Sequence, residues 1–162
     1  MAVRIKKTAV IHCSGGCAFQ NGVRLCPDGC TACGACVSAC RKQAVIPGDS
    51  TGKAARIDRE KCVGCGLCVR ACPQGIITLE PADSRIEPLC SLRKGGAEAR
   101  KICGSSCISC RICEKNCPAG AIAVTGDIPR IDPEKCISCG MCAVKCPRGV
   151  IGDVDGILGR SF

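Results

Sequence analysis

Tyrosine and tryptophan are absent from this chain of 162 residues, and phenylalanine and methionine occur only twice each. Aromatic side chains normally bury the largest areas per residue, so apolar packing alone cannot carry the fold. Histidine occurs once, at His12 beside Cys13. That position reads as a solvent-facing or hydrogen-bonding residue. With no Gly-rich nucleotide fingerprint and no nucleophile–base set, the chain shows no catalytic site of its own. No apolar run approaches the roughly 18 residues that a membrane helix needs. The segment Met1 to Ile11 carries Arg4, Lys6 and Lys7 but no apolar stretch or small-residue cleavage site, so it is not a secretory signal. The expected location is the cytoplasm, where thiols stay reduced.

What the chain has instead is 21 cysteines and 20 glycines. Disulfides need an oxidising compartment, and an odd count leaves at least one thiol over. Metal is the better cross-link. The pattern CxxCxxCxxxC is written four times: Cys30, Cys33, Cys36, Cys40; Cys62, Cys65, Cys68, Cys72; Cys107, Cys110, Cys113, Cys117; and Cys136, Cys139, Cys142, Cys146. Pro73, Pro118 and Pro147 follow three of them, while Arg41 stands at that position in the first and weakens the helix stop without removing a ligand. A cubane 4Fe–4S cluster offers four iron corners, and a tight CxxCxxC loop wraps three of them. The fourth cysteine lies past a short helical turn and serves the neighbouring cluster. Zinc prefers two CxxC knuckles with a longer spacer, which makes a third cysteine surplus.

Cross-ligation assigns four clusters: Cys30, Cys33, Cys36 and Cys72; Cys62, Cys65, Cys68 and Cys40; Cys107, Cys110, Cys113 and Cys146; Cys136, Cys139, Cys142 and Cys117. Small loop residues (Gly34, Gly66, Gly140, Ala32, Ser109, Ser138) let backbone N–H groups approach the sulfurs.

The chain is an internal duplication. A shift of 77 positions carries Cys30 onto Cys107, Cys40 onto Cys117, Cys26 onto Cys103 and Cys13 onto Cys90. Beyond Cys40 the shift is 74, which aligns Arg56-Ile57-Asp58 with Arg130-Ile131-Asp132. Of the five cysteines outside the motifs, Cys17 alone lacks a counterpart. Cys13, Cys26, Cys90 and Cys103 suit a fifth 4Fe–4S cluster, with Cys17 as a substitute ligand; the alternative is five ordinary buried thiols. The sequence leaves both open.

Around the cassettes, residues 44–47 and 54–58, and 121–125 and 129–132, read as two-stranded ribbons, with further strands at 76–80 and 150–154. Asp132 and Pro133 suggest a capped turn leading into the fourth loop. Residues 97–102 read as a short helix, and the Gly-rich segment 152–162 as a tail that frays or extends over a partner. The expected class is α+β: duplicated, metal-stabilised units with short β-ribbons and helices of one or two turns. The expected division is a first unit over 1–80, a polar linker over 81–89 and a second unit over 90–162.

The paired cassettes resemble bacterial two-cluster ferredoxins. The stretch Pro88-Leu89-Cys90-Ser91-Leu92-Arg93-Lys94-Gly95-Gly96, the run Arg100-Lys101-Ile102-Cys103 and the segment from Ala9 to Cys17 look like the cluster-bearing region of the B subunit of Rnf-type ferredoxin:NAD oxidoreductases. The resemblance covers about residues 9–152. Those B subunits usually begin with a membrane helix and an additional cluster-binding domain that this sequence does not show, so membrane attachment and ion pumping are not carried over.

What the resemblance implies is a soluble electron-relay subunit. It would dock between a flavin- or metal-containing catalytic subunit and a ferredoxin-like carrier. The runners-up are a stand-alone polyferredoxin carrier and a zinc-stabilised interaction module.

The formal charge of +9 points on its face to an acidic partner or nucleic acid. The basic residues are scattered, however, and no aromatics stand among them to stack bases. The figure also counts every cysteine as neutral. Each cluster with four thiolates carries about −2, so four clusters bring the protein to about +1 and five to about −1. The lysines and arginines read as counter-charge rather than as a grip on nucleic acid.

Overall fold

The computed structural model describes residues 6–153. The first half runs β1 (Lys7–Ile11), β2 (Phe19–Gln20), β3 (Val23–Arg24), α1 (Ala35–Ala39), β4 (Val45–Ile46), β5 (Arg56–Ile57), α2 (Leu67–Ala71) and β6 (Ile77–Pro81). The second runs β7 (Ile86–Pro88), α3 (Gly96–Ile102), α4 (Ile112–Lys115), β8 (Ile122–Thr125), β9 (Ile128–Ile131), α5 (Met141–Lys145) and β10 (Ile151–Asp153). Among the described residues, every sheet is a two-stranded antiparallel ribbon.

The ribbons expected inside each cassette are present, β4 with β5 and β8 with β9. So is the helix before the third motif, which starts one residue early as α3. Asp132 caps the turn before the fourth loop, accepting the Glu134 N–H at 3.0 Å. The strand expected over 150–154 is seen as Ile151–Asp153. The remainder of the Gly-rich tail, 154–162, lies outside the described residues.

Two outer ribbons were not foreseen, and they define the repeat. β1 pairs with β6 in the register Ala9–Leu79, which brings the two ends of the first half together. β7 pairs with β10, with Gly152 opposite Glu87, and does the same for the second. The stretch expected to be a polar linker therefore contains a strand, all three residues of which are buried. Glu87 looked like a linker residue, but it is buried in an ion pair. Arg59 meets its Oε1 at 2.5 Å and donates also to the carbonyls of Ala82 and Ser84.

Burial pushes the Glu87 carboxyl above the usual range, and the Arg59 guanidinium pulls it back. Because Arg59 belongs to the first cassette and Glu87 to the strand of the second, the pair fastens the halves together. Arg59→Met should lower the stability of the metal-loaded protein by about 3 kcal/mol, the low end for breaking a buried pair, because the arginine is partly exposed. Thermal unfolding of the two proteins side by side checks this.

His12 is also buried, with 4% of its surface exposed. The solvent-facing reading is thus corrected, and the hydrogen-bonding one describes the site. Nδ1 lies 2.7 Å from the Pro88 carbonyl on β7, and Nε2 lies 2.8 Å from Thr78 Oγ1 on β6. One ring joins the outer strands of the two halves. Its pKa is lowered, first by burial; Nδ1–H donates to the Pro88 carbonyl, and Thr78, beside Nε2, donates its own hydroxyl to Glu80 Oε1 at 2.7 Å.

The core falls into three groups. One lies within the first half around Ile11, Val45, Ile76 and Ile77, and another within the second around Ile86, Ile122, Val124 and Ile151. The third, around Leu92, Ala99 and Val150, contains Cys17, Cys26, Cys90 and Cys103 and lies where the halves meet. Sulfur contributes to all three, as the shortage of aromatic side chains requires.

Candidate metal centres

Each motif folds as a loop followed by one helical turn. In all four, the backbone enters the left-handed region twice: at Ala32 and Gly34, Gly64 and Gly66, Ser109 and Arg111, and Ser138 and Gly140. This double reversal wraps the three cysteines of CxxCxxC around a common centre. Arg111, with φ of 56°, occupies a position where the other copies have glycine, and pays a steric penalty of about 1 kcal/mol there. Small loop residues were read from the sequence as room for close approach; the structure adds that they turn the chain.

The helices then pack in pairs, α1 against α2 and α4 against α5, so the last cysteine of one motif reaches the loop of the other. Cys30, Cys33, Cys36 and Cys72 line one recess together with Ile11, Val37, Ile76 and Ile77. Cys62, Cys65, Cys68 and Cys40 line a second, with Val45, Ile57 and Leu67. Cys107, Cys110, Cys113 and Cys146 line a third, with Ile108, Val124 and Ile151. The recesses enclose about 450, 340 and 340 Å³, counting the space at their mouths. In the fourth motif Cys142 lies beside Cys136 and Cys117, and Cys139 stands exposed in the same loop. The structure thus brings the first three cysteines of three motifs together with the fourth of the partner motif, and in the last motif brings Cys136 and Cys142 to Cys117.

Backbone amides are aimed at these sulfurs. Ala32 N–H donates to Cys30 Sγ at 3.4 Å, Ser109 to Cys107 at 3.4 Å and Ala9 to Cys62 at 3.4 Å. Past the helices, Ala44 donates to Cys40 at 3.3 Å, Ala121 to Cys117 at 3.2 Å and Val150 to Cys146 at 3.4 Å. Such donors favour thiolate over thiol. Burial works the other way. It pushes the Cys107 thiol up to about 11, with neighbouring Cys90, Cys113 and Cys146 adding to the rise. It pushes Cys142 up to about 12, reinforced by Cys136 and Cys117. Four thiolates in one apolar recess repel one another until a cation lies between them.

The donor set fits an iron–sulfur cluster. No acidic residue lines the three recesses, so hard oxygen ligands are lacking. Among the described residues, no three metal-binding side chains converge closely enough to hold a single ion.

The remaining five cysteines meet at the joint. Cys17 has the thiols of Cys103, Cys13 and Cys26 as its strongest partners. Cys90 lies near Cys26 and Cys13, and a backbone bridge pairs Cys17 with Cys103. The nearby hairpin of β2 and β3 turns through Asn21 and Gly22, both at positive φ. It was missed from the sequence, although Asn-Gly is a strong turn signal.

The fold and its thiolate-lined recesses define a duplicated iron–sulfur unit. The chain belongs to the family described as the 4Fe-4S dicluster domain, which it matches twice, over residues 29–76 and 106–150. It therefore carries multiple 4Fe–4S clusters. No curated protein matches it significantly. Among solved structures it is similar to a chain of the formate dehydrogenase–heterodisulfide reductase–formylmethanofuran dehydrogenase complex from Methanospirillum hungatei. The identity is 20% and the TM-score 0.31, and the match covers 76% of this chain and 51% of that one, about half its length. No helix among the described residues is long and apolar enough to cross a membrane.

Proposed function

We propose that this chain is an electron-transfer subunit that relays single low-potential electrons between a catalytic oxidoreductase subunit and a ferredoxin-like carrier. The supporting observation is that each recess is closed by cysteines of two motifs, so that two centres share one pair of helices. The proposed ligands are Cys30, Cys33, Cys36 and Cys72; Cys62, Cys65, Cys68 and Cys40; Cys107, Cys110, Cys113 and Cys146; and Cys136, Cys139, Cys142 and Cys117. A bound 4Fe–4S cluster supplies reversible one-electron exchange.

The chain's own residues do the rest. Isoleucines and valines exclude water from the recesses, and the amides aimed at sulfur stabilise added negative charge. With four cysteines at each site, no corner is left open for substrate. Val63 and Ile137, matched residues in the second and fourth loops, are 56% and 66% exposed. They give these two loops apolar rims suited to partner subunits.

The two units are 1–80 and 90–162, with β7, from the expected linker, joined to the second. The resemblance to the Rnf B subunit favours a flavin- or metal-containing partner on one side and a ferredoxin-like carrier on the other. Anaerobic purification from the native host without a tag tests this. Co-purification of a catalytic oxidoreductase subunit is the expected result. A chain that purifies alone and exchanges electrons freely with soluble donors would instead be a stand-alone polyferredoxin.

A further inference from the structure

Four of the five cysteines at the joint share a hydrogen-bond pattern with the first cysteines of the motifs. In the cassettes, Cys30, Cys62 and Cys107 each accept the N–H of the residue two positions on: Ala32, Gly64 and Ser109. At the joint, Cys13 accepts from Gly15, Cys26 from Asp28, Cys90 from Leu92 and Cys103 from Ser105. Second donors follow the same symmetry. Cys30 N–H reaches Cys13 Sγ at 3.4 Å, and Cys107 N–H reaches Cys90 Sγ at 3.4 Å. At the joint, every donor and acceptor of the first half falls on its counterpart in the second under the shift of 77. These sulfurs thus receive the same kind of amide contact as the cassette sulfurs.

Cys17 is different: its partners are the thiols of Cys103, Cys13 and Cys26, each of which also receives a backbone amide. It fits beside Gly29, where an added Cβ would lie 3.1 Å from Cys26 Sγ and 3.6 Å from both Cys13 and Cys17 Sγ. The matching residue in the second half is Ser106, whose buried hydroxyl lies on the carbonyls of Ala99 at 2.9 Å and Cys103 at 2.8 Å. The missing side chain of Gly29 leaves the space into which the three sulfurs pack.

We infer that Cys13, Cys26, Cys90 and Cys103 hold a fifth 4Fe–4S cluster at the joint of the two halves, and that Cys17 is a free thiol packed beside it. The inference rests on the reading of the motif cysteines as cluster ligands. Leu92, Ala99 and Val150 surround the thiols of the joint with apolar contacts.

The placement has a consequence for the relay. Cys30 belongs to one flanking recess and Cys107 to the other, and the peptide N–H of each donates to a thiolate of the joint. The fifth cluster thereby stands one peptide unit from each half, where it connects two otherwise separate pairs.

Iron and acid-labile sulfide measured on the whole chain, purified anaerobically, test the assignment. The expected content is about 20 of each per chain, against about 16 for the motifs alone. Cys103→Ser and Cys26→Ser should each remove about four irons, while Cys17→Ser should keep all of them. A wild-type content of about 16 overturns the fifth cluster and leaves the other four standing. Loss of four irons from Cys17→Ser overturns the ligand set. Zinc without sulfide overturns the reading beneath both. If the two ligand variants fail to fold, the wild-type content and Cys17→Ser still decide.

Discussion

Chelating the iron under anaerobic conditions should unfold this protein rather than leave an empty scaffold. Its helices are short: four of them span only four or five residues, far below the length at which a helix holds alone. Of the five ribbons among the described residues, three include strands of only two or three residues. The largest fully buried side chains are Leu92, Val150, Thr8, Pro129 and Ser106, with no aromatic among them.

Cysteines occupy the centre of the core groups, where their sulfurs repel one another once ionised. Burial raises Cys113, and Cys146 and Cys110 nearby raise it further. With metal, the same sulfurs become the strongest cross-links in the molecule, and binding free energy becomes folding free energy. Far-UV circular dichroism and amide exchange during chelation should show loss of both halves. A chelated chain that kept its ribbons protected would contradict the account.

The second large effect concerns which cysteine serves which centre. Cys72→Ala should empty the recess lined by Cys30, Cys33 and Cys36, although Cys72 belongs to the other motif in sequence. Cys40→Ala should empty the recess of Cys62, Cys65 and Cys68. Each substitution should cost about four irons. Alkylation mapped by mass spectrometry separates this from self-contained motifs, because Cys33 and Cys65 are both exposed. In Cys72→Ala the cysteine that becomes reactive should be Cys33, with Cys65 protected by its iron. Reactivity at Cys65 with Cys33 protected would mean that each motif keeps its own fourth cysteine.

Much of this architecture could be read from spacing. The CxxCxxCxxxC register carries the loop, the helical turn and the reach to a neighbour in one local pattern. Alternating residues around Gly126-Asp127 marked the ribbon of β8 and β9. The outer ribbons were not legible, because their pairing is decided by residues some 70 positions apart. β1 offers no alternation either, since Thr8 to Ile11 are all buried. The burial of Glu87 and His12 was not legible for a related reason. Each is a polar residue buried by a distant partner, Arg59 in one case and Pro88 and Thr78 in the other. At the joint, the sequence supplied the matched cysteine pairs but not the role of Cys17. The amide donors that separate it from the other four appear only once the chain is folded.

The most direct test of the central claim is an anaerobic reductive titration of the intact protein, followed by its visible absorbance. Absorbance near about 400 nm should fall reversibly while the chain takes up about four or five electrons, one for each cluster. A colourless protein that takes up no electrons and contains zinc in place of iron and sulfide would contradict it.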